Sequence, residues 1–265
     1  MSFLFVFQFV SLSSHAGKTA VIVQLIRLFK DKGLRVGVIK HSHSYDLAFD
    51  LKSAEDAKDT VRFVEAGSDV TVAVTDNVMV AITHSAGLER ALDTILGFAD
   101  VVFVEGFRGE ERYPRVVVAK ELGDVAPLLT KNTIAITGGV TVSRYRELAA
   151  LYPSIAIARS AEELASVLHS YIVEKFAKIV GGKNCGVCGY RSCEELVREL
   201  KLGKAKLSAC PWAFPRVSVH LDGKPLPLNP FVQSIIEKTV RGMLSALKGV
   251  GKPSKIEIFI SSPPE

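Results

Sequence analysis

The stretch Leu12-Ser13-Ser14-His15-Ala16-Gly17-Lys18-Thr19 follows directly on the apolar run Phe3-Leu4-Phe5-Val6-Phe7-Gln8-Phe9-Val10. An apolar strand, a short loop closing on Gly-Lys-Thr and then an amphipathic helix over 18–32 reproduce the order of a phosphate-binding loop, G-x-x-x-x-G-K-[ST]. Leu12 stands where that pattern has its first glycine. In such a loop the backbone N–H groups of Ser14, His15, Ala16 and Gly17, with the helix N-terminus, cradle a β-phosphate. Lys18 neutralises the β and γ oxygens, and the Thr19 hydroxyl is a ligand for Mg²⁺. The plain alternative is a chance Gly-Lys-Thr at a helix start, which would not require a strand immediately upstream.

Outward from the loop, apolar runs of strand length alternate with longer amphipathic stretches. Strands are expected over 3–10, 36–40, 70–74, 78–83, 101–105, 116–119, 134–137 and 155–158, with helices over 18–32, 53–66 and 143–151. Most of the strands are continuous β-branched runs, the mark of strands covered on both faces. Strand–helix alternation of this kind implies an α/β fold, a P-loop-like, mostly parallel sheet with helices on both faces. The run Val101-Val102-Phe103-Val104 ends in Glu105, placed to hold Mg²⁺ through water or to polarise a nucleophile; an ordinary strand cap is the bland alternative. Lys40-His41-Ser42-His43 ends another strand, with His41 and His43 on one face, suited to an anionic ligand, a metal or plain solvent exposure. No Asn-Lys-x-Asp motif is present, and Lys120 and Asp124 are weak substitutes, so the base is not readable from local sequence.

Composition sets limits. The chain has 265 residues, 48% of them hydrophobic, a net charge of +5 and a pI near 9.0. That is ample for a packed core and favours anions such as nucleotides. No run of five like charges and no nucleic-acid-reading motif occurs, so neither DNA nor RNA is an expected partner. The apolar opening lacks a basic leader and is far shorter than the roughly 20 residues a membrane helix needs. A cytoplasmic protein without a membrane partner is expected.

Beyond the sheet region, 161–180 reads as one helix, with Ser160 and Glu163 forming a capping box, and Gly181-Gly182 breaks it. Residues 216–226 read as a hairpin turning at Asp222-Gly223, and 231–247 as a helix with Asn229 as N-cap and Pro230 at N1. An alternating strand follows over 255–261. The expected division is a nucleotide domain at 1–180, a cysteine module at 181–215 and a small α+β segment at 216–265. With a core that small, the last segment needs another surface to pack on.

All four cysteines fall in the cysteine module, spaced Cys185-x2-Cys188-x4-Cys193-x16-Cys210 and followed by Pro211. Such a tight cluster points to metal rather than to a disulfide framework. Gly186 and Gly189 permit the tight backbone that lets thiolates converge. Zinc sites usually pair two C-x2-C knuckles, and only one is present, so the spacing suits a [4Fe–4S] cluster better, with Zn²⁺ as the lesser alternative. Lys183, Arg191, Arg198, Lys201, Lys204 and Lys206 flank it and would balance the negative charge of a thiolate-bound cluster.

Taken together, Ser13–Thr19, then Gly33-Leu34-Arg35-Val36-Gly37-Val38-Ile39-Lys40-His41-Ser42-His43, Asp46, Lys58-Asp59-Thr60 with Ala66-Gly67, and 100–107 with Arg108 resemble the molybdopterin-guanine dinucleotide biosynthesis protein B (MobB) family over about residues 3–120. Asp46 and Asp50 lack the family's following Pro-Gly. The cysteine segment resembles the [4Fe–4S] domain of RnfB-type electron-transfer proteins and corrinoid iron–sulfur proteins. The first resemblance implies a dimeric GTP-binding accessory protein, at most a slow GTPase, that assists the molybdenum (or tungsten) cofactor guanylyltransferase acting on molybdopterin. On that reading Ser14 to Thr19, Lys40 and His41 bind GTP, Thr19 holds Mg²⁺ and Glu105 is the catalytic candidate. The competing readings are a P-loop metallochaperone and a nucleotide-regulated redox module. A small-molecule kinase would want an arginine-rich lid, which the sequence lacks.

Overall fold

The structure, a computed structural model, describes residues 5–13, 16–41, 62–63, 66–68, 70–74, 76, 79–83, 87–96, 98–215, 217–221, 224–226, 228–249, 251, 253, 256 and 258. These divide into two compact units, 3–175 and 176–265.

The first unit is built on six parallel strands in the order β2-β5-β1-β6-β7-β8: β1 (Phe5–Val10), β2 (Val36–Lys40), β5 (Val101–Glu105), β6 (Arg115–Val118), β7 (Thr133–Thr137) and β8 (Ala156–Ile157). Every residue of β1 and β5 is buried, which is why both read as unbroken apolar runs. The expected parallel α/β sheet is therefore present, with two differences. The runs at 70–74 and 79–83 do not join it; they form a separate antiparallel pair, β3 (Val70–Val74) and β4 (Met79–Thr83). Four residues between them are far too few for a parallel crossover, which needs a dozen or more. The helix Leu88–Ile95, absent from the sequence reading, buries Leu88 and Leu92 one turn apart.

The helices of this unit are α1 (Lys18–Asp31), α2 (Leu88–Ile95), α3 (Gly139–Ser143), α4 (Tyr145–Leu151) and α5 (Ala161–Val180), which continues into the second unit. Phe7, Phe9 and Phe103 share one face of the sheet. There Phe29 of α1 meets Phe103 edge-on at 5.5 Å, and Tyr171 of α5 meets Phe7 at 5.7 Å. On the other face α2 packs on Val6, Val102 and Val104, while Val10, Val117, Ile136 and Leu148 form a second apolar cluster. Gln8 lies between Val6 and Val10 on that face, and Arg115 is its register partner on β6. Two apolar clusters are thus separated by a buried polar pair.

The α5 cap is as expected at Ser160, whose Oγ accepts from Glu163 N at 3.2 Å. The Glu163 carboxylate reaches past the cap to Arg159 N instead of closing the box on Ser160. At the end of β7, Gly138 has φ +105°, and a β-carbon there would lie 2.4 Å from the Ala119 carbonyl oxygen. Gly138→Ala is expected to destabilise the unit by about 2–3 kcal/mol in urea unfolding; an unchanged midpoint would contradict the close approach.

The second unit contains the end of α5, then α6 (Cys193–Lys201), an antiparallel pair β9 (Val219–Leu221) and β10 (Lys224–Leu226), and α7 (Pro230–Ser245). Asn229 Oδ1 caps α7 by accepting from Val232 N, with Pro230 at N1, as the sequence predicts. The turn Asp222-Gly223 lies outside the described residues, as does most of the helix expected at 53–66, of which Arg62 and Phe63 are helical. Of the strand expected at 255–261, only Ile256 and Ile258 are described, and neither is in a strand. Among the described residues no helix is long and apolar enough to cross a membrane.

Candidate functional site

Three chain segments end together at the carboxyl edge of β1, β5 and β2, the edge where open α/β sheets bind ligands. The loop after β1 enters α1 through Gly17, whose φ of +88° is a left-handed conformation that glycine adopts freely. Lys18 is buried at the first position of α1. Its Nζ donates back to Ser11 Oγ (2.5 Å) and to the Ser13 carbonyl (3.2 Å), so the ammonium sits inside the curve of its own loop. Burial is the main cause that lowers the Lys18 pKa; the Glu105 carboxylate opposes this, and Arg108 and Lys40 add to it.

Glu105 closes β5, buried, with Phe9 and Lys40 as its register partners on the two flanking strands. The Thr19 hydroxyl donates to it, with Oγ1 3.1 and 3.0 Å from the two carboxylate oxygens. Two residues 86 positions apart thus bring oxygen donors together, the kind of set a hard divalent cation prefers. After Glu105 the backbone is left-handed at both Gly106 (φ +100°) and Phe107 (φ +52°). A β-carbon on Gly106 would sit 2.9 Å from His41 Cβ, and the His41 ring lies 4.6 Å from that of Phe107. His41 therefore packs on the turn that follows Glu105, while Lys40 has an exposed side chain.

Of the residues predicted from sequence, Ala16, Gly17, Lys18, Thr19, Lys40, His41 and Glu105 are brought to this one edge. Ser14, His15, His43, Asp46 and Asp50 lie outside the described residues. Asp124 Oδ2 accepts from Lys120 N and Glu121 N at 3.2 Å each, which ties that carboxylate to its own turn. Four residues given no role by the sequence also take part. Ser11 receives Lys18, and Arg108 Nη2 donates to the Leu12 carbonyl at 2.6 Å. Gln8 donates to the carbonyls of Gly106 and Phe107, and Arg115 Nε donates to Gln8 Oε1 at 3.0 Å. Their sequence signals were a single amide inside an apolar strand and a single cation opening the Val116-Val117-Val118 run.

In the second unit Cys185, Cys188, Cys193 and Cys210 all line one concavity of about 10 Å³, shared with Lys183, Asn184 and Trp212. None is in a disulfide. Cys193 opens α6, whose N-cap Ser192 accepts from Glu195 N, while Glu195 accepts from Arg191 N, two bonds that fix the helix start. Asn184, at φ +39°, is tied to Cys193 twice: its Oδ1 accepts from Cys193 N at 2.8 Å, and its own N–H donates to Cys193 Sγ at 3.4 Å. Burial pushes the Cys210 thiol pKa up. Lys183 Nζ lies 4.2 Å above the Trp212 ring, and the buried Trp212 Nε1 has no partner among the described protein atoms. Four cysteines lining one concavity are a donor set that fits an iron–sulfur cluster, and Trp212, with its unsatisfied N–H, belongs to the same lining. Among the described residues no three His, Cys, Asp or Glu side chains stand ready to hold a single ion, and the concavity takes only about one water.

Two stretches of the chain match known families. Residues 182–212 match the family described as "Putative Fe-S cluster". Over 39 residues, 15% of this chain and 21% of that protein, the chain is 46% identical to a component of the ion-translocating oxidoreductase complex of Rhodobacter capsulatus. A "Putative molybdopterin-guanine dinucleotide biosynthesis adapter protein" of Methanocaldococcus jannaschii is 29% identical over 249 residues, 92% of this chain and 93% of that one. The molybdopterin-guanine dinucleotide biosynthesis adapter protein of Haemophilus influenzae is 30% identical over 130 residues, 46% of this chain and 68% of that one. Residues 6–139, half of the chain, match the family described as molybdopterin guanine dinucleotide synthesis protein B, the stretch that carries the loop, Glu105 and Arg108, and the chain belongs to that family.

Proposed function

We propose that this protein is a GTP-binding adapter in molybdopterin guanine dinucleotide formation that carries an iron–sulfur cluster. Residues 1–180 form the nucleotide part, 181–215 the cluster module and 216–265 a packing segment. The observation that carries the reading is the meeting of Lys18, Thr19 and Glu105 at one sheet edge. In it, Ser14 to Gly17 offer backbone N–H groups to the β-phosphate, and Lys18 leaves Ser11 for the phosphate oxygens. Thr19 and Glu105 hold Mg²⁺, and Lys40 and His41 line the phosphate side. Glu105 is the group placed to orient a water, which at most supports slow hydrolysis. The protein acts as a homodimer on the guanylyltransferase that attaches GMP to molybdopterin. The names of the Methanocaldococcus and Haemophilus relatives support the pathway. Cys185, Cys188, Cys193 and Cys210 hold the cluster, which supplies either electron transfer or a structural staple. The Trp212 indole N–H, unpartnered at a residue of the same lining, would be available as a hydrogen-bond donor to a bound cluster.

Titration of the full chain with GTP and ATP in the presence of Mg²⁺ tests the nucleotide site. Lys18→Ala is expected to weaken GTP binding about 100-fold, the loss of one charge-assisted phosphate contact. Binding that is unchanged in this variant would remove the phosphate-loop assignment, and a preference for ATP would remove the base assignment.

A further inference from the structure

Arg108 has no role in the scheme above, yet the fold goes to some length to place it. It follows the two left-handed residues Gly106 and Phe107, which fold the chain leaving β5 back toward the loop after β1. Its guanidinium spans 96 positions of sequence to reach the Leu12 carbonyl at the mouth of that loop. We propose that Arg108 is a phosphate-contacting residue, whose guanidinium leaves the Leu12 carbonyl to take the terminal phosphate of a bound nucleoside triphosphate. The proposal rests on the phosphate-loop reading and deepens it.

Charge favours an anion at this position. Among the described residues, Lys18 feels two cations, Arg108 and Lys40, which depress its pKa, against one carboxylate, Glu105, which raises it. The described groups at this edge thus carry more positive than negative charge, which a polyphosphate neutralises. A backbone carbonyl is a neutral, single acceptor. A phosphate offers a guanidinium two charged oxygens in its own plane, and charge-assisted bonds of that kind are about twice as strong as neutral ones. Exchange of the carbonyl for phosphate is therefore downhill, and the arginine is held beside the loop until then.

The platform under Arg108 is rigid. Arg115 Nη2 donates to the Arg108 carbonyl (2.8 Å) and to the Glu110 carbonyl (2.7 Å), while the Gln8 amide takes the carbonyls of Gly106 and Phe107. Both side chains are buried, and burying a guanidinium and an amide is unfavourable unless their bonds are made. Here the bonds go to four of the five carbonyls between 106 and 110. The segment carrying Arg108 is thus fastened to the central strand of the sheet, which places a cation at low entropic cost to binding.

The terminal phosphate distinguishes a triphosphate from a diphosphate, so discrimination between them is the readout. Affinities for GTP and GDP with Mg²⁺ are measured on the full chain for wild type, Arg108→Ala, Arg108→Gln and Lys18→Ala. Arg108→Gln keeps a donor for the Leu12 carbonyl and guards against a folding artefact. Both Arg108 variants are expected to lose about 10–100-fold in GTP affinity, with GDP affinity within about twofold of wild type, so that the GTP-to-GDP preference collapses toward one. A wild-type preference retained in both Arg108 variants, with binding lost in Lys18→Ala, overturns the role of Arg108 and leaves the phosphate loop standing. A wild type that binds both nucleotides equally also overturns it. If wild type binds neither nucleotide, both readings fall together.

Discussion

Arg115→Ala is expected to destabilise the 3–175 unit by about 3–5 kcal/mol, read as a lower urea midpoint at unchanged slope. The side chain is buried at the start of β6, where the β6–β7 register slips between Arg115 and Val116. It supplies donors to Gln8 Oε1, Leu128 O, Arg108 O and Glu110 O, at 2.7–3.1 Å. Removing it leaves four acceptors without that donor, and a buried acceptor without a partner costs about 1–3 kcal/mol. Water entering the cavity recovers some of this, so the sum is not the expectation. Burial lowers the Arg115 pKa, with Glu111 and Glu110 opposing, so the buried guanidinium carries a desolvation cost that its hydrogen bonds offset. Arg115→Met, which fills most of the volume without the donors, separates the two contributions: a loss close to that of alanine assigns the effect to hydrogen bonds. A loss below about 1 kcal/mol in both variants would show that the 106–110 segment does not depend on the buried pair.

How far this architecture was legible depends on whether a residue's partner is local. The Gly17-Lys18-Thr19 ending was readable because strand, loop and helix are contiguous. Glu105 was readable as the acidic end of an apolar strand. That the Thr19 hydroxyl would donate to it was not, since no local pattern fixes which strands become neighbours. The same holds for Gln8 and Arg115, which look like defects in apolar runs until β1 and β6 are side by side. The hairpin β3–β4 was mistaken for part of the main sheet because apolar strands of similar length have the same composition in either setting. The short connection was the discriminating signal. Helix α2 was missed because its eight residues give a brief periodic signal, although Leu88 and Leu92 lie one turn apart. The cysteine spacing was readable on its own terms, but the Trp212 N–H beside it was not, because its lack of a partner is a property of packing.

That cysteine pocket yields the other large effect. The full chain, purified without oxygen, is expected to hold about four irons and the broad visible absorption of a thiolate-bound cluster, and Cys188→Ser is expected to lose most of both. Cys188 is the informative choice because Cys193 also opens α6 and Cys210 is buried, so substituting either perturbs packing as well as ligation. A hydroxyl is a harder, less acidic donor than a thiol and holds iron poorly. Trp212→Phe provides the finer test. It keeps the ring beneath Lys183 but removes the indole N–H, so iron content is expected to stay while the reduction potential becomes more negative, as it does when a hydrogen bond to cluster sulfur is removed. One zinc per chain, with no visible absorption, would replace the cluster with a structural ion. Loss of GTP binding in Cys188→Ser would show that the cluster and the nucleotide site are energetically linked; GTP affinity within about twofold of wild type is the expected result, because every residue assigned to that site lies between Gln8 and Arg115 and none lies in the cysteine segment.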